Sequence, residues 1–161
     1  MNHKKYVNKR AQSSLELLIT LSFGLVILIP VVVFAFIQIS NSNSTLSSTE
    51  SQQVASKLTA VATSVGSQGY PAKEVVVVQM PPGVNRIYVG NLQDTVGHEI
   101  VFNVTTSAGP SYVTSYAPLN ISGNLGSVTG TATYLLNVSA QNHCPSDPSV
   151  SCVYITEQQS S

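Results

Sequence analysis

The longest feature of the hydrophobic pattern is a run without charge from Leu17 to Ile37, LLITLSFGLVILIPVVVFAFI. Coiled as an α-helix, these 21 residues reach about 31 Å, close to the hydrocarbon thickness of a bilayer. The run predicts a transmembrane or filament-core helix rather than a helix buried in a small domain. A secretory signal peptide would carry a shorter apolar core followed by a small-residue cleavage site, and no A-x-A site follows here. Gly24 and Pro30 interrupt the run. Proline lacks the amide hydrogen that an inner helical position uses, so a kink is predicted there.

Beyond Ile39 the chain reads SNSNSTLSSTESQQ. Two readings are open, a flexible linker or the exposed continuation of one helix. For the helix, Leu46, Val54, Leu58, Val61 and Val65 fall on one face, with Ala55 and Ala62 beside it. The pattern predicts a helix from about residue 13 to about residue 65, with a break allowed near 41–44. Its stripe from Val54 to Val65 would pack on the domain that follows. Gly66 and Gly69 end it, and Pro71 prevents its restart.

From Glu74 the period changes to two. Strands are predicted at Val75–Val78, read as buried on both faces, and at Arg86–Val89, Glu99–Thr105, Tyr112–Tyr116, Thr131–Ala140 and Cys152–Thr156. Met80–Val84, MPPGV, reads as a turn, and Gly, Pro, Asn and Ser clusters separate the other strands. The fold class is therefore α+β: a long N-terminal apolar helix followed by a small antiparallel β-sandwich or β-sheet domain. The chain divides into a basic leader peptide (1–11), the apolar helix (12–39), an amphipathic helix or linker (40–68) and a β-domain (69–161).

Charge adds direction. Of seven basic residues, Lys4, Lys5, Lys9 and Arg10 precede the apolar run, and all seven acids lie at or after Glu16. Positive flanks stay inside, which predicts an extracytoplasmic C-terminal domain at the cell surface. Without residues 1–11 the chain keeps three basic and seven acidic residues, a net charge of −4. That balance argues against nucleic acid as a partner. Only 9% of residues are charged, and the polar positions are filled by Ser, Thr, Asn and Gln between β-branched residues, which suits a β-rich surface domain rather than disorder.

The junction between leader and apolar run reads Lys9-Arg10-Ala11-Gln12-Ser13-Ser14-Leu15-Glu16. It resembles the class III signal peptide of archaeal type IV pilin-like proteins, which place Gln-x-Ser-x-Glu between a basic leader and an apolar helix. Gln12, Ser14 and Glu16 match at that spacing. Ala11 stands where the family usually has Gly, and Thr20 where it has Leu. The resemblance implies cleavage between Ala11 and Gln12 by a prepilin peptidase, with the apolar helix kept. It also implies that the Glu16 carboxylate of one subunit meets the new Gln12 amine of the next in a filament, fixing register. In such filaments the helix melts locally, the role it implies for Gly24 and Pro30. A long helix, a Pro-Pro-Gly turn and a β-domain are loosely similar to the same family's layout. Without a filament, Glu16 would simply reach the headgroups.

Two cysteines, Cys144 and Cys152, bracket PSDPSVS, whose two prolines and Asp-Pro step let the loop fold back. An external disulfide is the favoured reading, contributing about 2–3 kcal/mol. The alternatives are two free thiols or a metal site shared with His143, which lacks a fourth ligand. Four Asn-x-Ser/Thr sequons, Asn43, Asn103, Asn120 and Asn137, are glycosylation candidates. Asn103 alternates with Ile100, Phe102 and Val104, and Asn137 with Tyr134, Leu136, Val138 and Ala140, so both should face solvent.

His3, His98 and His143 are scattered, and no HExxH, phosphate-cradling loop or nucleophile elbow is present. No catalytic residue, cofactor site or metal site is assigned, and the chain reads as a non-enzyme. The leading expectation is a pilin-like structural subunit whose partners are the membrane, like subunits in a filament and a prepilin peptidase, used for adhesion or surface assembly. The alternative is a non-polymerising single-pass surface protein whose β-domain binds a partner or envelope component.

Overall fold

The computed structural model describes residues 9–158, with the backbone alone at 9–13. One helix, α1, runs from Lys9 to Gln68. It is followed by β1 (Lys73–Gln79), β2 (Val84–Gly90), β3 (Gly97–Thr106), β4 (Gly109–Asn124), β5 (Thr133–Gln141) and β6 (Cys152–Glu157). The chain divides into two compact units, one up to Asn41 and one from Ser42.

No break occurs at 41–44, and the polar stretch is helical throughout. The reason is tertiary. Ser44 Oγ accepts from Ser107 N at 2.8 Å, the Ser47 hydroxyl donates to Pro82 O, and Ser51 Oγ donates to Ser47 O at 2.8 Å. Thr59 Oγ1 lies 2.9 Å from Ala55 O and 3.0 Å from Ser115 Oγ. Hydroxyls that bond the helix itself or the domain let a Ser-rich face be buried without orphaned polar groups. The buried stripe is thus Ser47, Ser51, Ala55, Leu58, Thr59, Ala62 and Val65. Val54 and Val61 pack at its margin. Leu46, expected on this face, is 58% exposed.

The strands form one six-stranded sheet in the order β1-β5-β6-β4-β3-β2. The α+β expectation holds, as a single sheet rather than a sandwich. All pairings are antiparallel except β4 with β6, which run parallel. Val76, Val78, Ile87, Val89, Ile100, Phe102, Val104, Leu136 and Val138 join the helix stripe in one core. The core lies between one face of the sheet and the helix segment from Ser47 to Val65.

β1 and β2 occupy opposite edges, yet only Met80–Gly83 joins them. A link this short spans at most about 17 Å, whereas the outer strands of a flat six-stranded sheet would be about 24 Å apart. The sheet therefore curls. Ser47 bonds the middle of this link at Pro82 O, and Thr105 N donates to Gly83 O at 2.8 Å. The expected MPPGV turn is thus an edge-to-edge strap.

The edge position of β1 corrects the reading of Val75–Val78 as buried on both faces. Val76 and Val78 are buried, but Val75 and Val77 are 45% and 55% exposed. In β4 the ladder is interrupted, because Glu99 pairs with Tyr116 while Gly97 pairs with Ile121. Pro118 falls in the unpaired interval, where its missing amide hydrogen costs no ladder bond.

Candidate functional site

Within the first unit the apolar segment has no cover. Every large apolar residue from Leu15 to Ile39 is exposed, from 48% at Val32 to 70% at Phe36. The helix is long and apolar enough to cross a membrane. Ser14 and Glu16 are exposed at its start. Thr20 Oγ1 donates to Glu16 O at 2.9 Å, so the Thr at this position satisfies its own hydroxyl on the helix and keeps the apolar surface otherwise dry. Pro30 lies inside the continuous helix, leaving the Val26 carbonyl without its usual donor. A Cβ built on Gly24 would meet nothing within 4 Å, so the absence of a side chain there leaves a notch on the surface. The side chains of Ala11 and Gln12, and all of residues 1–8, lie outside the described residues.

In the second unit Cys144 and Cys152 are disulfide-bonded, with their Cα atoms 5.4 Å apart. Both are buried. Cys144 N donates to Val150 O at 2.9 Å, and Asp147 Oδ1 accepts from Ser149 N at 3.0 Å and from Ser149 Oγ at 2.6 Å. These bonds, the hydroxyl first and the amide second, hold the Asp147 carboxyl below the usual aspartate range. His143 Nδ1 is 2.9 Å from Pro148 O, so the histidine serves the loop. Among the described residues no group of three or more His, Cys, Asp or Glu is placed to hold a metal ion.

The sequons are placed unequally. Asn43 is exposed. Asn103 and Asn137 lie on the sheet face away from α1, as the alternation predicts, but they are half-buried. Asn103 is flanked by its register partners Arg86 and Tyr112, and Asn137 by Val75 and Thr156. In each, Oδ1 is buried without a partner. Asn120 Nδ2 donates to Ser151 O at 3.3 Å.

At the end of the β-domain where α1 stops, a partly enclosed cleft of about 440 Å³ opens. Gly66 forms part of its wall because a Cβ there would lie 2.5 Å from Leu119 Cδ2 and 2.9 Å from Val153 Cγ2. Gly69 adopts φ 71° and turns the chain out of the helix toward Tyr70. His98 stands opposite, stacked on Tyr116 with ring centroids 5.8 Å apart, and its Nδ1 is 3.0 Å from Leu119 O. No sequence pattern marks this cleft, since its lining residues come from the end of α1 and the turn after it, β3, β4, β5, the disulfide loop and β6.

A second aromatic group lies on the sheet face away from α1. Arg86 sits 4.9 Å from the centre of the Tyr88 ring and bonds Asp94 Oδ2 at 2.6 Å. Asp94 raises the pKa of the Arg86 guanidinium, by hydrogen bonding first and by charge second.

No protein-family model matches this chain, and no curated protein or solved structure matches it.

Proposed function

We propose that this chain is a type IV pilin-like structural subunit of a cell-surface filament, made as a precursor and cut between Ala11 and Gln12 by a prepilin peptidase. The observation that carries the reading is the helix α1, which is continuous from an uncovered, uncharged segment to a segment whose stripe closes the core of a β-domain. A purely hydrophobic anchor needs no such continuity, whereas a subunit that stacks helices side by side and displays a domain does. The apolar surface would lie in the membrane before assembly and against like subunits afterwards, the two low-dielectric settings available to it. Glu16, exposed at the start of that surface, would then meet the Gln12 amine of a neighbour. Such a pair is strongly directional where water is excluded, so it would set subunit register.

In this reading the β-domain is extracytoplasmic, an assignment supported by the basic residues before the apolar run and by the disulfide, a bond favoured in oxidising compartments. Glycosylation would fall first on Asn43, whose side chain is exposed, and least on Asn120, whose amide nitrogen is already a donor.

The test is the N-terminal sequence of the protein taken from its native membrane or cell surface, followed by electron microscopy. A chain beginning at Gln12, found in filaments that disappear in a Glu16→Ala strain, is the expected result. Retention of Met1 overturns the reading and favours a single-pass surface protein that does not polymerise. A start beyond the apolar run would leave a released domain and remove Glu16 from any role.

A further inference from the structure

We infer that the cleft at the end of α1 is a binding site for a neutral saccharide. The first observation is its charge. None of its thirteen lining residues is Asp, Glu, Lys or Arg, so an ionic ligand would lose hydration there and meet no permanent counter-charge. The second is the kind of polarity it offers. Its polar groups are the side-chain amides of Asn120, Gln141 and Asn142, a serine hydroxyl and the tyrosine hydroxyl of Tyr70. Amides present donor and acceptor together, as a sugar hydroxyl does, and they match it without any charge.

The hydrogen bonds already made sort these groups into fixed and free. Asn120 Nδ2 is held by Ser151 O and Gln141 Nε2 by Ser139 Oγ at 3.0 Å. Each amide is therefore anchored by its nitrogen, and its oxygen is left to accept. His98 is fixed twice, by its stack on Tyr116 and by Leu119 O. A carbonyl only accepts, so Nδ1 donates to it, and in that tautomer Nε2 is a third acceptor. Asn142 and Tyr70 are exposed, and among the described residues no hydrogen bond ties their polar ends. They supply the adaptable donors. Tyr70 also offers a ring 62% exposed, the amphipathic surface on which the apolar face of a pyranose packs. Immobilised acceptors with a few free donors and one aromatic plate meet the needs of a small polar ligand in a concave site. The inference concerns the β-domain alone and does not depend on whether the chain polymerises.

The test uses the full chain, isotope-labelled, in a detergent without a sugar headgroup. Methyl glucoside, methyl galactoside, methyl mannoside and N-acetylglucosamine are titrated in turn and followed by amide chemical shifts, with glucuronate as the charged control. At least one neutral sugar should give saturable shifts centred on the cleft, with a Kd of order millimolar, and glucuronate should bind more weakly. Asn142→Ala, at an exposed position, should weaken that sugar about fivefold by removing one or two hydrogen bonds, and Tyr70→Phe should lose less than Tyr70→Ala. Unchanged amide spectra in the free variants confirm that they fold. Absence of saturable shifts with every neutral sugar up to about 50 mM, shifts centred elsewhere, equal binding of glucuronate, or unaltered affinity in Asn142→Ala each overturns the inference.

Discussion

Lys57 Nζ donates to the main-chain oxygen of Val77 across 2.8 Å, joining the helix to the outer edge of β1. Leu135, the register partner of Val77, turns its own carbonyl the other way, toward Gln158 N. The Val77 peptide groups therefore face outward, where an edge strand offers itself to other chains. The exposed Val75 and Val77 side chains make that edge apolar as well as unpaired. A single lysine thus both satisfies the carbonyl and places a charge beside it.

Replacing Lys57 with Ala should cost about 1 kcal/mol, one charge-assisted bond at an exposed site. Its larger effect should be on association. The full-length variant in micelles is expected to aggregate faster than the parent by light scattering, and Lys57→Arg should restore the parent behaviour. Identical aggregation of Lys57→Ala and the parent would remove the protective role.

Gly90 and Gly97 touch backbone to backbone. A Cβ on Gly90 would lie 1.9 Å from Thr95 O and 2.8 Å from Ile121 O, and its φ is 99°. Gly90→Ala should therefore destabilise by on the order of 3 kcal/mol, combining φ strain with a backbone clash. Gly130 separates the two causes, since its φ is 83° but nothing lies within 4 Å of its Cβ. Gly130→Ala should cost only about 1 kcal/mol. The chain has no Trp, so denaturant curves followed by circular dichroism are the suitable measurement.

The double variant Cys144→Ser, Cys152→Ser should lose about 2–3 kcal/mol relative to the oxidised parent. Both sulfurs are buried, so mild reductant should act slowly on the folded protein and quickly on the unfolded one. Thiol labelling against time, with and without denaturant, reads this directly.

Asp147 gives a pH dependence with a definite sign. Its folded pKa is depressed by the two bonds from Ser149. The contribution to loop stability is fully present above the ordinary aspartate pKa and is lost as pH falls through the lower, folded value. A carboxyl carbon titration of Asp147 should have its midpoint below the usual aspartate range, and Ser149→Ala should move it upward.

Much of this architecture was legible because long apolar runs and strand alternation are strong signals. The apolar helix, the sheet face that carries Asn103 and Asn137, and the Cys144–Cys152 bond were all readable from spacing. Other features depended on partners that the sequence does not display. Ser47 and Ser51 read as polar, yet they are buried because each hydroxyl finds a carbonyl. Leu46 matched the helical stripe but points away from the sheet. The expected strand Tyr112–Tyr116 runs on to Asn124, because Pro118 falls in a gap of the ladder where its missing amide hydrogen costs no bond. Val75–Val78 looked doubly buried because four valines cannot reveal that their strand is an edge. The cleft was invisible for a similar reason, being made where five separate pieces of chain meet.

The position of β6 has a consequence in time. It comes last among the six strands in chain order and lies in the middle of the sheet, between β5 and β4. Until it arrives, β1 and β5 form one ribbon and β2, β3 and β4 another, with no main-chain ladder between them. Synthesis delivers every other strand first, so the half-made domain waits with two additional open edges. The bond between Cys144 and Cys152 shortens that wait, because Cys152 is the first residue of β6 and pairs in register with Gln141 at the end of β5. Closing the loop delivers the keystone strand to its slot, and an oxidant present before β6 docks should speed the final step of folding more than it raises the stability of the finished domain.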